Sequence, residues 1–198
     1  MDMDRSDLVD LTTDPTSFLS VADPRLRRMA VSALGPEDAR THAPTLFALA
    51  ADDDVPVRAA VAEALGLLGQ DALDSLGRLA DDDDETVREA VATAFGEVGD
   101  ASAIPWLATA AATDESRHVM EAAVAAMGAI GDDAAVDALL DIVATGPPQV
   151  RRRAIAAITV FDDPRVEPAI RKAALDRNPG VREAAEMVVG RQIVPAGD

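Results

Sequence analysis

Apolar residues recur along this chain at i, i+3, i+4, i+7 and i+8, and the phrase they make recurs six times. Val87, Ala90, Val91, Ala94 and Phe95 form the clearest copy, and Val57, Ala60, Val61, Ala64 and Leu65 repeat it. Such spacing lays one apolar stripe along a helix of 3.6 residues per turn. Aligned on the first apolar residue, the copies begin at Leu26, Val57, Val87, Val119, Val150 and Val181, in steps of 31, 30, 32, 31 and 31 residues. A period of this length marks a supersecondary unit that cannot bury its own apolar face and stacks on copies of itself. Ahead of each copy lies a shorter apolar stretch, at 17–21, 44–50, 72–80, 104–111, 134–143 and 166–175, so each repeat is expected to be a pair of helices. The predicted fold is all-α: about six two-helix repeats in one continuous domain over residues 16–192, between tails at 1–15 and 193–198.

Punctuation residues place the ends of the second helices. Three positions before the aligned residue stand Asp23, Asp54, Asp84, Ser116, Pro147 and Asn178, five of which can accept hydrogen bonds from the first free backbone N–H groups. Pro24, Pro148 and Pro179 suit the first helical position, where a missing N–H costs nothing. Nine positions after the aligned residue come Gly35, Gly66, Gly96, Gly128, Thr159 and Gly190, and the five glycines are expected to end their helices in a left-handed conformation. Repeat five, with Gly146, Pro147 and Pro148, has lost its side-chain cap.

Composition narrows the class further. Hydrophobic residues make up 48% of the 198, but aromatics only 3%, which favours close-packed alanine-rich helices over a sandwich of strands. The formal charge is −18, from 36 acidic against 18 basic residues, and Lys172 is the lone lysine. Excess carboxylate with almost no lysine resembles proteins of salt-in halophilic archaea, where high ionic strength screens self-repulsion. No cluster of Lys and Arg makes a nucleic-acid footprint. With no cysteine, disulfides, thiolate metal sites and cysteine nucleophiles are absent. No leader-like segment and no run of 18 apolar residues occurs, so a cytoplasmic protein with neither membrane nor nucleic acid as partner is expected.

The stretch Asp-Glu-Thr-Val-Arg-Glu-Ala-Val-Ala-Thr-Ala-Phe-Gly-Glu-Val-Gly at 84–99, and its relative at 54–69, resemble the HEAT-like repeats first grouped with phycobilisome lyases. The resemblance runs over roughly 16–190 and implies a right-handed α-α superhelix of the HEAT and armadillo type. In such repeats an arginine after the aligned residue commonly pairs with an aspartate of an interhelix turn. The resemblance carries that role to Arg27, Arg58, Arg88, Arg151 and Arg182, with Asp52, Asp82, Asp114 and Asp176 as partners, while repeat four departs from it with Met120. A guanidinium suits the position because its planar fork satisfies two acceptors at once.

Enzymatic constellations are scarce. Deoxyhypusine hydroxylases of similar fold hold two irons on His-Glu pairs, but His42 and His118 here precede Ala43 and Val119. Glycosylases built from related repeats use a basic, aromatic face, and this chain offers one tryptophan, Trp106. A bilin-lyase role rests on the repeat alone. His118, Trp106 and the break at Met120 could frame a small pocket, or merely record a tolerated substitution. The aspartate runs at 52–54 and 81–84 lack the spacing of a calcium loop and read as helix-terminal charge or as a docking edge. No metal, cofactor or catalytic residue is expected.

What remains is a surface. Two and six positions after the aligned residue, side chains should escape the core on the concave side. These include Arg28, Glu63, Glu89, Thr93, Glu121 and Arg152, the residues expected to hold a partner. The sequence therefore points to a non-enzymatic scaffold or adaptor that binds another protein there. The alternative is a lyase-type enzyme or enzyme component handling a chromophore or other small molecule.

Overall fold

A computed structural model describes residues 10–190, which form helices joined by short turns, with no strand among them. The chain divides at Gly99 into two compact units. In the first unit a turn of helix at 10–13, carrying the buried Leu11, and a 3-10 turn at Pro15–Phe18 lead into α1 (Pro24–Ser32), α2 (Pro36–Thr41), α3 (Ala43–Leu49), α4 (Val55–Gly66), α5 (Leu73–Leu79) and α6 (Glu85–Val98). The second helices of the repeats, α1, α4 and α6, pack side by side; α3 covers α4, and α5 covers α4 and α6. In the second unit α7 (Ile104–Thr113), α9 (Val136–Thr145) and α11 (Val166–Ala173) make the layer of first helices. Against it lie the second helices α8 (Arg117–Ile130), α10 (Pro148–Ala157) and α12 (Pro179–Val189).

The stripe legible in the sequence is the buried one. Val57, Val61 and Leu65 of α4, Val87, Val91 and Phe95 of α6, and Val119 and Met127 of α8 are all shielded from solvent. Alanines such as Ala60 and Ala64 fill the seams between second helices, where a larger side chain would hold the backbones apart.

Two elements differ from the sequence reading. The first expected helix, 17–21, is a 3-10 turn shifted to Pro15–Phe18, capped by Asp14, whose carboxylate accepts the Thr16 N–H at 3.2 Å. A helix not expected, α2, follows Gly35; Pro36 at its start and Glu37 and Asp38 in its first turn are ordinary helix-initiating signals. His42, read as part of a polar connection, joins α2 to α3, and its Nδ1 lies 3.0 Å from the Asp38 carbonyl.

The glycine assignment requires correction. Gly96 and Gly128 do not end their helices but lie inside α6 and α8, which run on to Gly99 (φ 71°) and Gly131 (φ 67°). Gly35 likewise has a negative φ and sits at the start of α2, Gly66 is the last residue of α4 without a positive φ, and of the five only Gly190 (φ 78°) ends its helix, α12, with one. In the Gly-x-x-Gly pattern the second glycine takes the left-handed cap, where a Cβ would be strained. The first serves packing: a Cβ on Gly128 would stand 2.9 Å from Cβ of Ala157, so its absence lets α10 close on α8. Repeat five, with Thr159 in place of the glycine, leaves α10 at Ala157 through a 3-10 turn, and the Thr159 hydroxyl donates to the Ala156 carbonyl at 2.7 Å.

Asp23, Asp54, Asp84 and Asn178 cap α1, α4, α6 and α12 through their side chains. Ser116 does not cap α8. It occupies the N-cap position, but its hydroxyl is buried and finds no partner.

Candidate functional site

Two arrangements of polar side chains stand out, one structural and one facing solvent. The first is built at the interhelix turns. Arg27 points its fork at Asp52 of the next repeat, Nε and Nη2 donating to the two carboxylate oxygens at 2.8 Å each, while Nη1 donates to the carbonyls of Val21 and Ala22. Arg58 repeats this with Asp82, at 2.7 and 3.0 Å, and donates to the Asp52 carbonyl at 2.8 Å. Arg151 reaches Asp176 by Nη2 alone, at 2.7 Å, and its Nε is buried without a partner. Arg88 and Arg182 donate to the turn carbonyls of Asp82 and Asp176, each at 2.8 Å. Each aspartate also accepts the N–H of the capping residue two positions on: Asp54 on Asp52, Asp84 on Asp82, Ser116 on Asp114 and Asn178 on Asp176.

These contacts set the charge state of the turns. The Arg27 hydrogen bond holds the Asp52 carboxyl below its ordinary pKa against the opposing effect of burial, and Arg58 does the same for Asp82. At Asp176 burial pushes upward, but the Asn178 N–H and Arg151 together outweigh it and the net shift is downward. The aspartate runs thus separate by role. Asp52 and Asp82 anchor arginines, Asp54 and Asp84 cap helices, and Asp53, Asp81 and Asp83 are exposed.

The joint between repeats four and five lacks both halves of this device. Met120, 8% exposed, stands where the other repeats have arginine. Five positions before the aligned residue, where Asp52, Asp82, Asp114 and Asp176 stand, the following repeat has Thr145, whose hydroxyl instead donates to the Asp141 carbonyl within α9. The two substitutions belong together, since a buried arginine or carboxylate left without its partner is costly.

The second arrangement is a groove of about 560 Å³ across α1, α4 and α6. Its floor is apolar, with Val31, Leu34, Ala60 and Ala64; its walls carry Glu63, Glu89, Thr93 and Glu97, and no Arg or Lys lines it. Among the described residues, none of the three glutamate carboxylates makes a hydrogen bond or ion pair. Of the residues expected to hold a partner, Glu63, Glu89 and Thr93 are therefore brought together. Arg28 is exposed on α1 outside the groove. In the second unit Glu121 pairs with Arg117 at 3.2 Å, and Arg152 is exposed on α10, its stem passing over Gly180, where a Cβ would approach Cδ to 3.3 Å.

Glu97 was not anticipated. Glu89, Thr93 and Glu97 are spaced i, i+4, i+8 on one helix face, and the Glu97 carboxylate rests against Gly66, at the place a Cβ would occupy. His118 is exposed, and neither it nor the half-buried Trp106 lines this groove.

Comparison with known proteins agrees with the helix-pair architecture. Residues 15–94 and 76–158 match the family profile for HEAT repeats. No curated protein matches the chain by sequence at a significant level. Among solved structures, a designed armadillo repeat protein in complex with the peptide (KR)4 superimposes with a TM-score of 0.61 at 17% identity, over 91% of this chain and 98% of that one. The complex of CpcE and CpcF of phycocyanin lyase from Nostoc sp. PCC7120 gives 0.65 at 23% identity, over 88% of this chain and 74% of that one. YibA of Escherichia coli gives 0.63 at 19% identity, over 87% and 67%. At these identities the likeness is one of fold.

Proposed function

Since the chain belongs to the HEAT-repeat family, we propose that it is a non-enzymatic scaffold that holds another protein on the face of its second helices. The observation that carries this reading is the groove of the first unit: three unpartnered carboxylates over an apolar floor, with no cation in the lining. Carboxylates so placed repel one another, and a partner that brings cationic side chains relieves that repulsion while covering the floor. The bound partner is accordingly a basic segment of another protein. The complex of the designed armadillo protein with (KR)4 supports the choice, because that protein is a helical repeat fold that superimposes on this chain with a TM-score of 0.61. In the proposal Arg28, Glu121 and Arg152 add further contacts outside the groove. The setting is the cytoplasm of a salt-adapted archaeon, a reading that rests on the −18 charge and the single lysine.

Reversing the charge of the groove tests the assignment. A partner captured by the native chain should bind the Glu63→Lys, Glu89→Lys, Glu97→Lys variant at least ~10-fold more weakly, with helical circular dichroism unchanged. Undiminished binding by the folded variant would place the partner elsewhere. A second reading, a lyase-type component handling a chromophore, draws on the likeness to CpcE and CpcF. It requires a visible absorption band in protein purified from its native host, which the scaffold reading does not.

A further inference from the structure

A second groove, of about 620 Å³, lies on the other layer of the second unit, between the first helices of repeats five and six, α9 and α11. Leu140 and Val143 of α9 and Ala173 of α11 give it an apolar lining, and Leu175, 71% exposed, stands at its edge. Lys172 and Arg177 supply cations, and among the described residues neither side chain makes a hydrogen bond or ion pair. Asp141 lines the groove as a single unpaired carboxylate, while Asp176 is engaged by Arg151.

Comparison among the repeats shows how unusual this corner is. Six positions before the aligned residue, where Leu175 stands, the other repeats carry Ser20, Ala51, Asp81, Thr113 and Ala144, all small or polar. Four positions before it, Asp53, Asp83 and Glu115 of repeats two to four give way to Arg177. That one position has thus changed the sign of its charge, and the turn has gained a large apolar side chain. The wider chain follows the same trend: residues 142–198 hold nine of the 18 basic residues but only seven of the 36 acidic ones. An exposed leucine beside unpaired cations, at a turn that is acidic in repeats two to four, has no role in packing the repeat.

We propose that this groove is a second docking site, which takes an acidic segment of another protein bearing a large apolar side chain. The apolar side chain lies against Leu140, Val143 and Leu175, and the flanking carboxylates meet Lys172 and Arg177. The site does not depend on the groove of the first unit and is opposite to it in sign. A scaffold with both can hold two different partners at once, one basic and one acidic.

The test uses the full chain and a fluorescein-labelled peptide alternating glutamate and leucine, with its lysine–leucine counterpart as control, at a salt concentration that keeps the protein folded. Fluorescence anisotropy should show saturable binding of the acidic peptide. The Lys172→Glu, Arg177→Glu variant should bind it at least ~10-fold more weakly, a larger effect than neutralising single exposed pairs gives. Leu175→Ser, which alters no charge, should weaken it by a similar factor. A Glu63→Gln, Glu89→Gln, Glu97→Gln variant, which empties the first groove of charge without making it cationic, should bind it as the native chain does, so failure of either site is read separately. No binding of the acidic peptide, loss of that binding in the first-groove variant, or binding undiminished in both folded unit-two variants would overturn the proposal.

Discussion

Arg58 spends every nitrogen of its guanidinium: two on Asp82 of the next repeat and the third on the carbonyls of its own turn. One side chain therefore fixes both the local turn and its neighbour. The pH dependence follows in sign. Asp82 titrates lower in the folded chain than its ordinary 3.8, so the unfolded chain takes up the proton first as the medium is acidified. The stability it contributes is full above the ordinary carboxylate pKa and disappears as pH falls through the folded value. Asp82→Asn should cost ~2–3 kcal/mol at neutral pH and should flatten the further loss between about pH 5 and pH 3, as read by urea unfolding at each pH. An unchanged acid slope would remove Asp82 from the account. The empty position of repeat four gives the converse experiment. Met120→Arg alone should destabilise, because it leaves a largely buried guanidinium without a carboxylate, whereas Met120→Arg with Thr145→Asp should recover most of the loss. A double-mutant cycle with a coupling below ~0.5 kcal/mol would show that the two positions do not meet. The arginine side of this pattern could be read from the chain through its family resemblance. The paired loss at Thr145 is not legible from the arginine positions alone, because the residue that meets each arginine lies in the turn of the next repeat.

At the scale of the helix, a glycine in the sequence does not by itself mark where an element stops. Gly96 looked like the end of α6, which put Glu97 outside the helix and outside the expected binding face, although Glu89, Thr93 and Glu97 keep a single i, i+4, i+8 line. The apolar period could not resolve this, since a glycine that admits a neighbouring helix and a glycine that ends its own are the same letter. The following Gly99 held the signal: two glycines three apart, of which only the second has a positive φ. The distinction can be tested at Gly128. Gly128→Ala gains helix propensity but forces a Cβ onto Ala157, so a net loss of ~1–2 kcal/mol is expected in thermal or urea unfolding. Adding Ala157→Gly should restore part of it. A stabilised Gly128→Ala variant would mean that α8 and α10 have room to spare.

For the whole chain, charge is the dominant variable. A formal −18 spread over 198 residues is repelled over distances that grow from about 8 Å at physiological salt to about 30 Å at 0.01 M. Helical circular dichroism should therefore fall as salt is dialysed away and return when it is restored, and full helicity in salt-free buffer would contradict the salt-adapted reading. The all-helical class, the period and the buried stripe were open to inspection in the chain because they follow from local spacing. The two grooves were only partly so, because a groove depends on which neighbouring side chains are small. The contact between Arg58 and Asp82 carries a last implication. Every repeat that has it presents a plug to its successor and a socket to its predecessor, so a tile of some 31 residues copied in tandem arrives with both fittings already matched. Lengthening such an array by gene duplication needs no compensating change at the joint, while losing one fitting invites loss of the other, as Met120 and Thr145 record.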